Sequence, residues 1–142
     1  MRSTDDPFRL ERFVQAQDPV FDRVQDELRD GKKRSHWMWF IFPQYAGLGH
    51  SDISEHFAIS SLEEAAAYLH HPVLGPRLED CTRLVTQLQG KSIRLIFGSP
   101  DHLKFHSCMT LFERVAADGN IFRKALEQYF EGQPDRLTLS LI

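Results

Sequence analysis

The chain has 142 residues and a mass of 16.5 kDa. That is long enough to bury a core in one domain without disulfides or a structural metal. With 17 Lys and Arg against 20 Asp and Glu, the net charge is −3, which argues against a general nucleic-acid binder, whose phosphate-facing surface is basic. Hydrophobic residues at 42% and charged residues at 26% argue against disorder. The 2 Trp, 3 Tyr and 11 Phe are unevenly placed. Trp37, Trp39, Phe40, Phe42 and Tyr45 all fall between positions 37 and 45.

The start, Met1 to Asp6, is polar and acidic, so it does not read as a signal peptide. We expect it to be flexible. The longest apolar run, Trp37 to Pro43, is far short of a membrane span. Cys81 and Cys108 form no CxxC pattern and no disulfide framework. The expected protein is cytoplasmic, with reduced thiols and no membrane partner.

Phe8, Phe13 and Val14 recur at roughly helical spacing after Pro7. Asp18-Pro19 predicts a helix start, with Asp as cap and Pro in the first turn. Val20, Phe21, Val24 and Leu28 form its apolar stripe, and Gly31 stops it. Lys32, Lys33 and Arg34 read as a solvated helix end. Residues 35 to 53 read as a buried extended or 3₁₀ segment, broken by Pro43, Gly47 and Gly49. Helix resumes near Ser54 to Phe57.

Ser61-Leu62-Glu63-Glu64 predicts a capping box opening a helix through Leu69. Beyond Pro72, an apolar period from Val73 to Leu88 predicts a helix closed by Gly90. Ile93 to Phe97 is a short helix or strand. Ser99-Pro100 predicts another capped start, leading into Leu103 to Val115. After Gly119-Asn120 comes a helix from Ile121 to Phe130, stopped by Gly132. Asp135 caps a last turn. The fold class is mainly α: one compact multi-helix domain over 1–142, with an irregular aromatic and glycine segment at about 35–53.

That segment also carries candidate chemistry. In an extended chain Trp37 and Trp39 point the same way; in a helix they splay by about 200°. Gln44, Tyr45, Gly47 and Gly49 add polar groups and close backbone approach. Together they suggest an aromatic-walled pocket for a flat ring such as a nucleotide base. No GxGxxG and no P-loop occurs. His36, between a basic triplet and the Trp pair, is an acid/base candidate. His102 and His106 share a helix face, but no third ligand accompanies them and no metal site is expected. His70-His71 reads as a helix end. Lys104, Ser107 and Cys108 also share a face, with Cys108 read as core.

Ser35 to Gln44 (SHWMWFIFPQ) with Gly47 to Ser51 (GLGHS) resembles the signature of a bacterial family, Domain of Unknown Function 1810. Tyr68 to Leu78, Ile96 to Gly98, Asp101, Lys104, Ser107 to Phe112 and Gly132 to Asp135 match as well. The resemblance spans about residues 7 to 142 and implies a compact, mostly helical domain. Some members carry the label calpastatin. Cys108 stands where the family pattern has Ser, which speaks against a catalytic thiol. A more distant similarity is to NADAR proteins, helical domains acting on ADP-ribose-related N-glycosides. It lies in Glu55-His56-Phe57 before an Ala-rich helix and in the Lys104 helix.

Three functions follow. The first is binding of a nucleotide-like small ligand by Trp37, Trp39, Gln44, Tyr45, Gly47, Gly49, Ser51, Lys104 and Ser107. The second, from the NADAR similarity, is an N-glycosidase with Glu55 or His36 as acid/base and Lys104 on phosphate. The third is a structural or protein-interaction domain whose aromatics are all core. No cofactor follows from the sequence.

Overall fold

The structure, a computed structural model, describes residues 6–142. Among the described residues ten helices follow one another: α1 (Glu11–Gln17), α2 (Phe21–Asp30), α3 (Met38–Ile41), α4 (Asp52–His56), α5 (Leu62–His70), α6 (Leu74–Gln87), α7 (Ile93–Phe97), α8 (Asp101–Glu113), α9 (Ile121–Phe130) and α10 (Arg136–Leu141). The mainly α expectation holds. One parallel bridge, Tyr45 with Ile59, is the extended pairing among the described residues.

Helix α8 is the axis of the fold. Its Phe105, Ser107, Cys108, Met109, Thr110, Leu111 and Phe112 are all buried. From Phe105 to Phe112 every residue but His106 is buried, so this part of the helix is covered on nearly every side. Helices α5, α7, α9 and α10 pack against it, and α6 closes the outer layer against α2, α5 and α9. The Phe97 and Phe105 rings stack at 4.8 Å, and Phe42 meets both edge-on. Among the described residues no helix is long and apolar enough to cross a membrane.

Several predicted ends are realised. Gly31 ends α2 at φ +74°, a conformation that suits a residue without Cβ. Asp135 accepts the Thr138 N–H at 3.0 Å. The stretch 1–6, expected to be flexible, lies outside the described residues except for Asp6, whose carboxylate accepts from Leu10 and Glu11 N–H at the start of α1. Two predicted caps are corrected. Asp18 does not cap α2, which begins at Phe21; it pairs with Arg77 at 2.8 Å. Helix α8 follows Pro100 with no side-chain cap.

Candidate functional site

The first part of the aromatic run is neither extended nor 3₁₀, while Tyr45 at its end lies in the extended bridge. Met38 to Ile41 form one α-helical turn, so Trp37 and Trp39 part company. Trp37 is 1% exposed and Trp39 is half-buried. Gln17 steadies the turn from α1, donating to the Phe40 carbonyl at 2.6 Å and to the Tyr68 hydroxyl at 3.1 Å.

Glu27 anchors the loop that enters this turn. Its carboxylate accepts the Arg34 N–H at 2.7 Å, the Ser35 N–H at 3.0 Å, the Ser35 hydroxyl at 2.6 Å and the Trp37 indole N–H at 2.9 Å. Burial alone pushes its pKa up, but these four donors outweigh burial and hold it below the ordinary value. Lys33 is not a solvated helix end. Its ammonium contacts Asp101 at 2.9 Å, donates to the Ser35 carbonyl at 2.6 Å and lies 5.1 Å from the Trp37 ring centre. Asp101 also meets Lys104 at 3.4 Å. The carboxylate thus ties the 33–37 loop to the start of α8.

Trp39 faces a slot shared with Gln44, Tyr45, Gly49, Ser54, Phe57 and Ala58. The space inside is about 10 Å³, room for a single water. Two bonds close its neck beside the Tyr45–Ile59 bridge: Ala46 N–H to Ile59 O at 2.8 Å and Ile59 N–H to Gln44 O at 2.9 Å. The excursion from Ala46 to Ala58 carries α4, which buries none of its own side chains. Gly49 lets this excursion fold back, since a Cβ there would stand 2.6 Å from Ser54 Cβ. Trp39 also receives Lys104, whose ammonium lies 5.3 Å from its ring centre. Neither the Trp39 indole N–H nor the Gln44 amide has a hydrogen-bond partner among the described residues.

A second, wider groove of about 400 Å³ lies on the other side of α4. Pro7, Phe8, Arg9, Arg12, Glu55, His56, Ala58, Ser60 and Glu64 line it. Its floor is the Arg12–Glu64 ion pair at 2.9 Å, with Glu64 at 3% side-chain exposure. Arg12 also donates to the carbonyls of Phe8, Arg9, His56 and Ala58. Ser60 donates its N–H and hydroxyl to the other Glu64 oxygen.

A family model described as a protein of unknown function, DUF1810, matches residues 7–142. The chain belongs to the DUF1810 family. It is also similar to the conserved hypothetical protein Rv1873 from Mycobacterium tuberculosis, known from its crystal structure. The two are 55% identical, with a TM-score of 0.95 and coverage of 96% of this chain and 98% of that one. No curated protein matches the chain.

The DUF1810 signature around the Trp pair therefore divides between core and surface. Trp39, Gln44, Tyr45 and Gly49 come together at the slot, with Lys104 beside Trp39. Trp37 is taken into the core by Glu27. His36 is exposed. Glu55 lines the neighbouring groove. Ser51 caps α4, accepting the Ser54 N–H at 3.2 Å. Gly47 lies beside Leu141 of α10. Ser107 is buried and donates to the Leu103 carbonyl at 3.1 Å and to Asp135 at 3.3 Å.

His70, His71, His102 and His106 hold backbone. His71 accepts the Val73 and Leu74 N–H groups and so opens α6. His106 stacks on Phe130 at 3.8 Å and donates to the Gln133 carbonyl. Among the described residues no three His, Cys, Asp or Glu side chains are grouped to hold a metal ion. Sequence reasoning missed Glu27 and Arg12, and read Glu64 only as part of a capping box. Glu27 gave one signal: it falls on the inward stripe between Val24 and Leu28, where a charge needs partners.

Proposed function

We propose that this chain binds a small flat ligand at Trp39. One observation carries the reading. Trp39 and Tyr45 are the rings of the aromatic run that the core leaves half-buried, both line the slot, and the Trp39 N–H and the Gln44 side-chain amide have no hydrogen-bond partner among the described residues. A ring stacked on Trp39 gains aromatic contact, and Gln44 offers a donor and an acceptor to read its edge. Lys104 adds positive charge beside the same indole. Entry requires the Gly47–His56 excursion to move outward. That is the segment with least to lose, since α4 buries no side chain. Trp37, Phe40 and Phe42 belong to the core, whereas Trp39 only packs against its edge and keeps one side toward the slot.

Thermal-shift measurement with nucleosides and free bases at millimolar concentration tests this. Stabilisation is expected in the wild type and is absent in Trp39→Ala. No stabilisation by any of them sinks the proposal.

The N-glycosidase reading is the second. Its support is Glu55, an exposed carboxylate in the 400 Å³ groove next to Arg9 and Arg12. Incubation with ADP-ribose N-glycosides tests it; it requires product from the wild type and none from Glu55→Gln. Either reading is that of a cytoplasmic protein, in keeping with the two free, buried thiols.

A further inference from the structure

Building on the Trp39 reading, we propose that the Trp39 slot and the Arg12 groove are two halves of one site, divided by α4, and that its ligand is a flat ring bearing an oxyanion. Ala58 lines both spaces. Ser54 faces the slot, and Glu55 and His56 face the groove. A single five-residue helix is therefore the partition.

The partition is held at few points. Its neck is the Tyr45–Ile59 bridge. Phe57, just past its end, is buried between Phe13 and Phe40 at 5.6 and 5.4 Å and acts as a pivot. Between these, the latch is Arg12, whose Nε donates to the His56 carbonyl at 2.8 Å and whose Nη2 donates to the Ala58 carbonyl at 3.0 Å. When α4 swings about Phe57, the His56 carbonyl leaves Arg12 Nε. A half-buried guanidinium edge is then short of an acceptor. The freed Nε–H can take one oxygen of a carboxylate or phosphate, while Nη2 keeps Ala58 and Glu64.

The charges favour the same outcome. Glu55 and His56 ride on α4 and depart with it. Glu64 stays, already neutralised by Arg12 and saturated by Ser60. Arg9 stays too, exposed on the groove rim with no partner for its guanidinium among the described residues. Its backbone is left-handed at φ +54°, a conformation costly outside glycine and concentrated at functional sites. Opening thus joins a ring slot to an edge with one unbalanced positive charge. A ring alone fills the slot; a ring with an oxyanion also replaces the acceptor that opening removes.

Calorimetric titration of the full chain with two matched pairs tests this: adenosine against AMP, and nicotinamide against nicotinate. The anionic member of at least one pair is expected to bind about tenfold tighter, with the advantage falling in high salt. The responding pair tells phosphate from carboxylate. Arg12→Lys keeps the charge against Glu64 but loses the fork, and Arg9→Gln changes only an exposed side chain. Both remove the anionic advantage. Arg9→Gln leaves the neutral ligand unaffected, while Arg12→Lys, which also weakens the latch, adds a shift common to both members of a pair. Should Arg12→Lys fail to fold, Arg9→Gln decides. Trp39-dependent binding with equal affinity within each pair, or an advantage that Arg9→Gln does not reduce, overturns the joined site and spares the slot. Absence of Trp39-dependent binding by all four ligands removes the slot reading, and the joined site with it.

Discussion

Trp37 gives its indole N–H to the Glu27 carboxylate at 2.9 Å, so a buried charge fixes where the aromatic run begins. Three more donors from Arg34 and Ser35 converge on that carboxylate. Glu27→Gln keeps the shape but turns one acceptor into a donor facing donors. We expect it to cost about 2–3 kcal/mol, read by urea denaturation. The pH dependence has a definite sign. The folded-state pKa lies below the ordinary value of 4.5, so the contribution is complete above 4.5 and drains as pH falls through the folded pKa. The gap between wild type and Glu27→Gln therefore narrows in acid. A gap that widens below pH 4.5 contradicts the assignment.

The two tryptophans should separate in solution. Trp37 is enclosed and Trp39 half-buried, so iodide quenches about one emitting component. Trp39→Ala removes the quenchable part and costs at most about 1 kcal/mol. Trp37→Phe keeps that part and costs more, because it removes one of the three N–H donors on Glu27 Oε1 and leaves a gap in the core. Equal quenching of both single variants would show the pair to be equivalent.

Helix content, and most helix ends, were legible because they rest on local rules. Ser61 shows where such rules stop. Its hydroxyl accepts the Glu64 N–H at 3.0 Å, as the capping box requires. Glu64 does not return to Ser61; it binds Ser60 and Arg12, which is 52 residues away. Asp18 likewise satisfies every local criterion for a cap but pairs with Arg77. At the candidate site the cluster was legible as composition. Its division was not, since whether Trp37 or Trp39 turns inward depends on Glu27 in a different helix.

Cys81 and Cys108 are both buried and free. Burial, then the Asp80 charge, pushes the Cys81 thiol up to about 12 against a smaller opposing effect of Arg77. Burial alone pushes Cys108 well up. Thiolate is the reactive form, so a disulfide reagent at pH 8 should label the native protein only as fast as it unfolds. In urea both thiols titrate at once. Rapid native labelling of either would exclude its enclosure in the core.

Gly75 tests how closely α5 and α6 cross. It is buried in the first turn of α6, and a Cβ there would run into the Leu69 carbonyl oxygen at the end of α5. Taken by itself, a helical Gly→Ala change gains about 1 kcal/mol. Here the gain is outweighed, because a backbone oxygen cannot rotate away as a side chain can. Gly75→Ala is expected to lose about 2–4 kcal/mol. Gly90→Ala is the comparison. Gly90 has φ +73° but nothing within 4 Å of an added Cβ, so its loss is backbone strain alone, about 1–2 kcal/mol. The melting temperature should fall further for Gly75→Ala than for Gly90→Ala, although Gly75 is the one with ordinary helical geometry. The reverse order would mean that α5 and α6 do not meet backbone to backbone at this turn.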